Sequence, residues 1–182
     1  GGLRHANIAD VVDVGHTDDG APYLVMELLD GETVDLVAAR GVMPFATAVE
    51  IVRELCDALA FVHARGIVHR DVKPHNLVVH RGEGGRPVVK LLDFGISRPP
   101  EAARERAITR TGLLVGTPHY MPPEVLLGGE SSPGQDVYAA GVVLFECLTG
   151  RPPYDGASLG NVVSAVVRNE LPRVTTTRPD CP

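Results

Sequence analysis

Four side chains within one stretch of the sequence could handle a phosphoryl group. Asp71 offers a carboxylate, Lys73 an ammonium, Asn76 an amide oxygen, and Asp93, 22 positions after Asp71, a second carboxylate. Carboxylate and amide oxygens are the donors that Mg2+ prefers, and it takes few of them from protein. A carboxylate beside a hydroxyl can orient it and accept its proton. An ammonium steadies the charge that develops on a transferring group. Alone, Asp71 or Asp93 would read as a turn or cap residue. Their joint placement carries the chemical reading. Lys73 is telling for another reason: the chain has only two lysines, Lys73 and Lys90, and its other 15 basic residues are arginine.

Elements must position this set. Residues 8–14 and 23–27 read as a hairpin-like strand pair with a turn cluster at His16-Thr17-Asp18-Asp19-Gly20. Phe45, Val49, Val52, Leu55, Leu59 and Val62 recur at spacings of three and four, which predicts an amphipathic helix over 44–65. Pro44 suits its first turn and Gly66 its stop. Two short strands, 77–79 and 88–92, flank the glycine cluster 81–87. That cluster lacks the spacing of a phosphate-binding loop and has no helix behind it, so it reads as a hairpin turn. A long irregular stretch covers 93–123, and loops of that length are usually functional. Helices are expected again over 135–149 and 159–168, followed by a polar, proline-rich 172–182.

Composition removes several classes. Seventeen Lys+Arg against 23 Asp+Glu leave a net charge of −6, which argues against a general nucleic-acid binder. Cys56, Cys147 and Cys181 have neither zinc spacing nor a disulfide framework, which suits a reducing, cytoplasmic compartment. The most apolar run, 139–145, is too short for a membrane span and reads as a buried core helix. No secretory signal is visible at the start.

Three motifs hold the chemistry: His69-Arg70-Asp71-Val72-Lys73-Pro74-His75-Asn76, Asp93-Phe94-Gly95, and Gly116-Thr117-Pro118-His119-Tyr120-Met121-Pro122-Pro123-Glu124. Together they closely resemble the eukaryotic-type (Hanks-type) protein Ser/Thr kinases, in their bacterial form. The resemblance implies an α+β kinase-like fold, mainly the helical C-lobe with remnant N-lobe strands. It divides the chain into strands over 1–27, a hinge over 27–33, and a C-lobe over 34–182 that is incomplete at its end. The implied reaction moves the ATP γ-phosphoryl group to Ser/Thr hydroxyls of protein substrates, with ATP and Mg2+ (or Mn2+) as cofactors.

The same resemblance distributes roles. Asp71 orients the acceptor hydroxyl and takes its proton, Lys73 steadies the phosphoryl group, and Asn76 and Asp93 hold metal. Met26 is the gatekeeper, the Glu27 and Leu29 backbones pair with adenine, Val78 forms the floor beneath the ring, and Leu92 lies nearby. Arg70 is placed to meet a phosphate on the long loop, with Thr109 and Thr111 as the phosphosites. Thr117 shapes the acceptor platform. His69, Phe94, Gly95, Glu124 and Asp136 are structural: His69 packs with Phe94, and Asp136 caps its helix and braces the catalytic loop. Pro122 stands where the family has alanine.

The resemblance further implies that a glycine-rich loop, its lysine and a paired glutamate precede residue 1, and that the last helices follow residue 182. The chain then covers about two-thirds of the family's domain. The expectation is a segment that binds ATP weakly alone and does not turn over. A kinase homodimer for trans-autophosphorylation and a membrane-anchored parent are further expectations. The competing readings are a pseudokinase scaffold and a small-molecule phosphotransferase of related fold.

Overall fold

A computed structural model describes residues 3–93, 117–154, 156 and 158–181. The long helix α2 (Phe45–His63) forms as its periodicity predicts, with Pro44 just outside it at the N-cap rather than in the first turn. Its inward face buries Ala48, Ile51, Leu55, Ala58, Leu59 and Val62. Against it lies α4 (Pro133–Thr149), which contributes Ala139, Ala140, Val143, Cys147 and Leu148 to the same core. Each such Leu or Val, fully removed from water, stabilises the fold by about 1.5–3 kcal/mol. The α4 helix ends on Gly150 in the left-handed conformation, φ 78°, which a residue with a side chain resists.

The helix expected from residue 135 begins two residues earlier. Ser132 is its N-cap, and Asp136 lies in the first turn, so Asp136 does not cap the helix. Its carboxylate is directed to the catalytic loop instead, as described below.

Strand β1 (Val11–His16) pairs antiparallel with β2 (Pro22–Met26), with an irregularity between Val11 and Asp13. Ile8, expected in this hairpin, instead forms a parallel bridge with Leu91. A second sheet has the order β3 (Gly31–Thr33), β4 (Leu77–Arg81), β5 (Pro87–Leu91), antiparallel throughout. Part of the expected hinge, 31–33, is therefore a strand of this sheet. The glycine cluster is the β4–β5 turn, where Gly84 and Gly85 both take positive φ.

Short helix α1 (Val34–Ala38) follows β3, and α3 (Pro123–Leu126) starts on the second of two prolines, a position that tolerates the missing N–H. Helix α5 (Leu159–Arg168) is capped by the Ser158 side chain, which accepts from Asn161 N–H. It forms a satellite core of Tyr154, Val162 and Val166 with Leu126, Tyr138 and Ala165. A turn of helix, α6 (Val174–Thr177), lies within the polar, proline-rich stretch 172–182. Among the described residues no helix is long and apolar enough to cross a membrane.

Candidate active site

The catalytic loop runs from the end of α2 to the start of β4, and its backbone is set from below by α4. The Asp136 carboxylate is fully buried. Its Oδ2 accepts from His69 N–H at 2.8 Å and its Oδ1 from Arg70 N–H at 2.8 Å. His63 Nε2 lies 2.7 Å from the same Oδ2. Arg70 holds φ 69°, a conformation that costs a non-glycine residue energy unless its surroundings impose it.

His69 is wholly buried. Asp71 N–H donates to its Nδ1 at 3.2 Å, so that nitrogen is an acceptor and the ring proton belongs on Nε2, 2.8 Å from the Leu92 carbonyl. Both nitrogens are thus committed to backbone.

Two side chains converge on Asp71. Lys73 Nζ donates to Asp71 Oδ2 at 3.0 Å. Asn76 Nδ2 donates to the Asp71 carbonyl at 2.8 Å and to Oδ2 at 3.2 Å. Two acceptors on one side fix the amide orientation, which turns Asn76 Oδ1 away as the free oxygen. Asn76 itself closes a 3-10 turn over Pro74–Asn76, and its carbonyl accepts from Leu92 N–H at 2.9 Å. Leu92 therefore ties Asn76 to Asp93, the next residue, which is exposed with φ 51°. An amide oxygen and a carboxylate on adjoining segments fit Mg2+, which takes one or two protein donors and completes its shell with phosphate and water. Bound there, the ion would neutralise phosphate charge. Among the described residues no group of three His, Cys, Asp or Glu forms a denser metal site.

Of the residues expected to meet adenine, Val78 lies on β4, whereas Met26 ends β2 and Glu27 and Leu29 follow it. Val78, 7% exposed, pairs across the ladder with Lys90, so their side chains share a face. Lys90 Nζ reaches Glu27 Oε1 at 2.8 Å, and Asp10 N–H donates to the same oxygen at 2.9 Å. Burial pushes the Glu27 carboxyl up, but Lys90 and the Asp10 N–H more than offset it and hold it below the ordinary value. Glu27 N–H bonds the Asp10 carbonyl at 2.9 Å. Met26 ends β2 half-buried, and Leu29 is half-buried two residues beyond Glu27.

Thr117 lines a small cleft with Arg70, Asp71, Val72 and Tyr120, so the end of the long loop does return to the catalytic loop. Tyr120 donates its hydroxyl to Glu146 on α4 at 2.6 Å. Burial pushes Glu146 up, opposed by that hydrogen bond. Glu124 is exposed at the start of α3. Phe94, Gly95, Thr109 and Thr111 lie outside the described residues.

Several residues escape sequence reasoning. Glu54 on α2 is 8% exposed, and its Oε2 accepts from Val89 N–H at 2.6 Å and from Asn7 Nδ2 at 2.9 Å. Asn7 also donates to the Val89 carbonyl at 3.0 Å. These bonds join the segment before β1 to α2 and β5. A glutamate amid an amphipathic pattern gives no sign of this. Lys90 did carry a signal, as one of two lysines in an arginine-rich chain.

The protein kinase domain family model matches residues 1–180. The serine/threonine-protein kinase PknB of Mycobacterium leprae is 41% identical over 172 residues, covering 92% of this chain and 27% of that protein. PrkC of Bacillus subtilis, also a serine/threonine-protein kinase, is 37% identical over 182 residues, 99% of this chain and 27% of its own length. Pkn1 of Myxococcus xanthus, of the same description, is 42% identical over 157 residues, 86% and 22% respectively. The chain thus spans about a quarter of the length of the curated relatives it matches. With the matched family model and the catalytic-loop geometry in agreement, the chain belongs to the protein kinase domain family.

Proposed function

We propose that the protein carrying this chain is a serine/threonine kinase that moves the ATP γ-phosphoryl group to hydroxyls of protein substrates. The observation that carries this is the Asp71 carboxylate held between Lys73 Nζ and Asn76 Nδ2. Such anchoring presets one carboxylate to receive a hydroxyl while an ammonium stays at hand for the phosphoryl group. Asn76 Oδ1 and Asp93 are the proposed holders of Mg2+ or Mn2+. Met26, Glu27, Leu29, Val78 and Leu92 are the proposed adenine contacts. Residues 1–27, 27–33 and 34–182 are the proposed N-lobe remnant, hinge and C-lobe. The names of the relatives support protein hydroxyls as acceptors, and Thr117 beside Asp71 fits an acceptor platform.

Arg70, Thr109 and Thr111 form the proposed switch, in which phosphate on the loop pairs with the arginine. Trans-phosphorylation between two copies and a cytoplasmic catalytic domain complete the reading. In the full-length protein, Asp71→Asn should lower transfer to a protein substrate by roughly 10²–10⁴-fold with folding retained. Transfer at the unmodified rate in that variant would refute the role given to Asp71.

A further inference from the structure

We infer that Gln135 is a positioning residue of the catalytic loop: its side-chain amide holds the Arg70 carbonyl while its neighbour Asp136 holds the Arg70 N–H. This rests on the phosphoryl-transfer reading above. Three observations lead to it. Gln135 is 5% exposed and its amide is used at both ends. Nε2 donates to Arg70 O at 3.3 Å, and Oε1 accepts from Ser131 Oγ at 2.9 Å.

Second, the local sequence prescribes another use. Ser132-Pro133-Gly134-Gln135 has the pattern of a capping box, in which the glutamine at the third helical position reaches back to the N-cap N–H. The structure shows no side-chain cap bond at Ser132. The glutamine leaves the helix end and turns to the loop. A local rule set aside at a buried polar residue points to a demand from elsewhere in the fold.

Third, the recipient is the residue whose backbone needs holding. Arg70 sits at φ 69°, immediately before Asp71. Asp136 Oδ1 takes its N–H and Gln135 Nε2 its carbonyl, so two successive residues of one rigid helix grip both peptide planes flanking its Cα. The Arg70 carbonyl belongs to the peptide whose N–H is that of Asp71, which in turn donates to His69 Nδ1. Rotation of that plane would swing Asp71 relative to Lys73 and Asn76. Small displacements of a reacting group cost rate rather than nucleotide affinity.

The test compares full-length wild type with Gln135→Met and Gln135→Glu. Methionine keeps the volume and removes the donor. Glutamate keeps the shape and the acceptor for Ser131, removes the donor, and suits a helix N-terminus electrostatically. If Gln135 serves only the helix, Gln135→Glu should keep full activity. Because a single neutral hydrogen bond of this length is modest, positioning predicts a fall in kcat of about three- to tenfold in both variants. KM for ATP should stay within about twofold, since the removed bond acts on the reacting group. Amide exchange should quicken at Arg70 and Asp71 but not along the rest of α4. Wild-type kcat in either variant, or exchange that quickens evenly through α4, would overturn the inference. A wild-type protein that transfers no phosphate to Ser/Thr would instead sink the functional reading, while the exchange arm still reports on the clamp.

Discussion

Replacing Asp136 with alanine should be among the most damaging single changes in the described core, and the structure sets its size. The carboxylate is fully buried and receives two backbone N–H donors at 2.8 Å from consecutive residues. Neither N–H has a strand or helix to turn to, because His69 and Arg70 lie in a loop where Arg70 itself takes the left-handed conformation. Each orphaned buried donor costs about 1–3 kcal/mol, so the pair costs about 2–6 kcal/mol. His63 adds less, since its half-buried ring can turn to water. A whole domain is stable by only about 5–15 kcal/mol, so the loss is a large share. Asp136→Asn keeps one acceptor oxygen and should lose about half as much. Urea titration followed by circular dichroism, with the denaturant slope held in common, measures both variants. An Asp136→Ala midpoint within about 1 kcal/mol of wild type would refute the reasoning.

Glu146 should make stability fall with rising pH. Burial raises its folded pKa above the ordinary carboxylate value, so the folded state holds the proton more tightly, and stability declines as pH climbs from that ordinary value through the raised one. The stability of wild type relative to Glu146→Gln should therefore fall as pH rises across that window; a relative stability that rises would contradict this. Lys90→Met should strand Glu27, cost about 1–2 kcal/mol and raise KM for ATP more than it lowers kcat, as read by melting and initial rates. An unchanged KM would separate that ion pair from nucleotide binding. Gly31→Ala would set a Cβ against the Val79 carbonyl across the ladder, so β3 must shift from β4 at about 1–3 kcal/mol. An unchanged melting temperature would show that β3 is not held there.

What could be read from the sequence follows from where the determinants lie along the chain. The loop from His69 to Asn76 keeps its chemistry in consecutive residues, so residue types and order carry it. The α2 helix declares itself through six apolar positions. By contrast, β3 has three residues, Gly-Glu-Thr, too few to show a period. Val174 to Thr177 are β-branched residues with weak helix propensity, and packing against α4, with Val174 on the main core, overrides it. Gln135 was masked by a plausible local use as a cap. Glu54 and Asn7 are 47 positions apart, and a buried bond across that distance leaves no trace in either neighbourhood.

The β4–β5 ladder also says where the chain can be edited. Its register is pinned at the catalytic end, where Leu77 faces Leu91 and Leu92 N–H bonds Asn76 O. The opposite end is the Arg81–Pro87 step with its two exposed, left-handed glycines. Five rungs separate that tip from Asn76, and slippage is opposed because a one-residue shift would turn Val89 and Leu91 out of the core. The tip between Gly84 and Gly85 is accordingly a natural port for a peptide tag or fluorophore, at which added length is absorbed before it reaches Asn76 and the Asp71 loop.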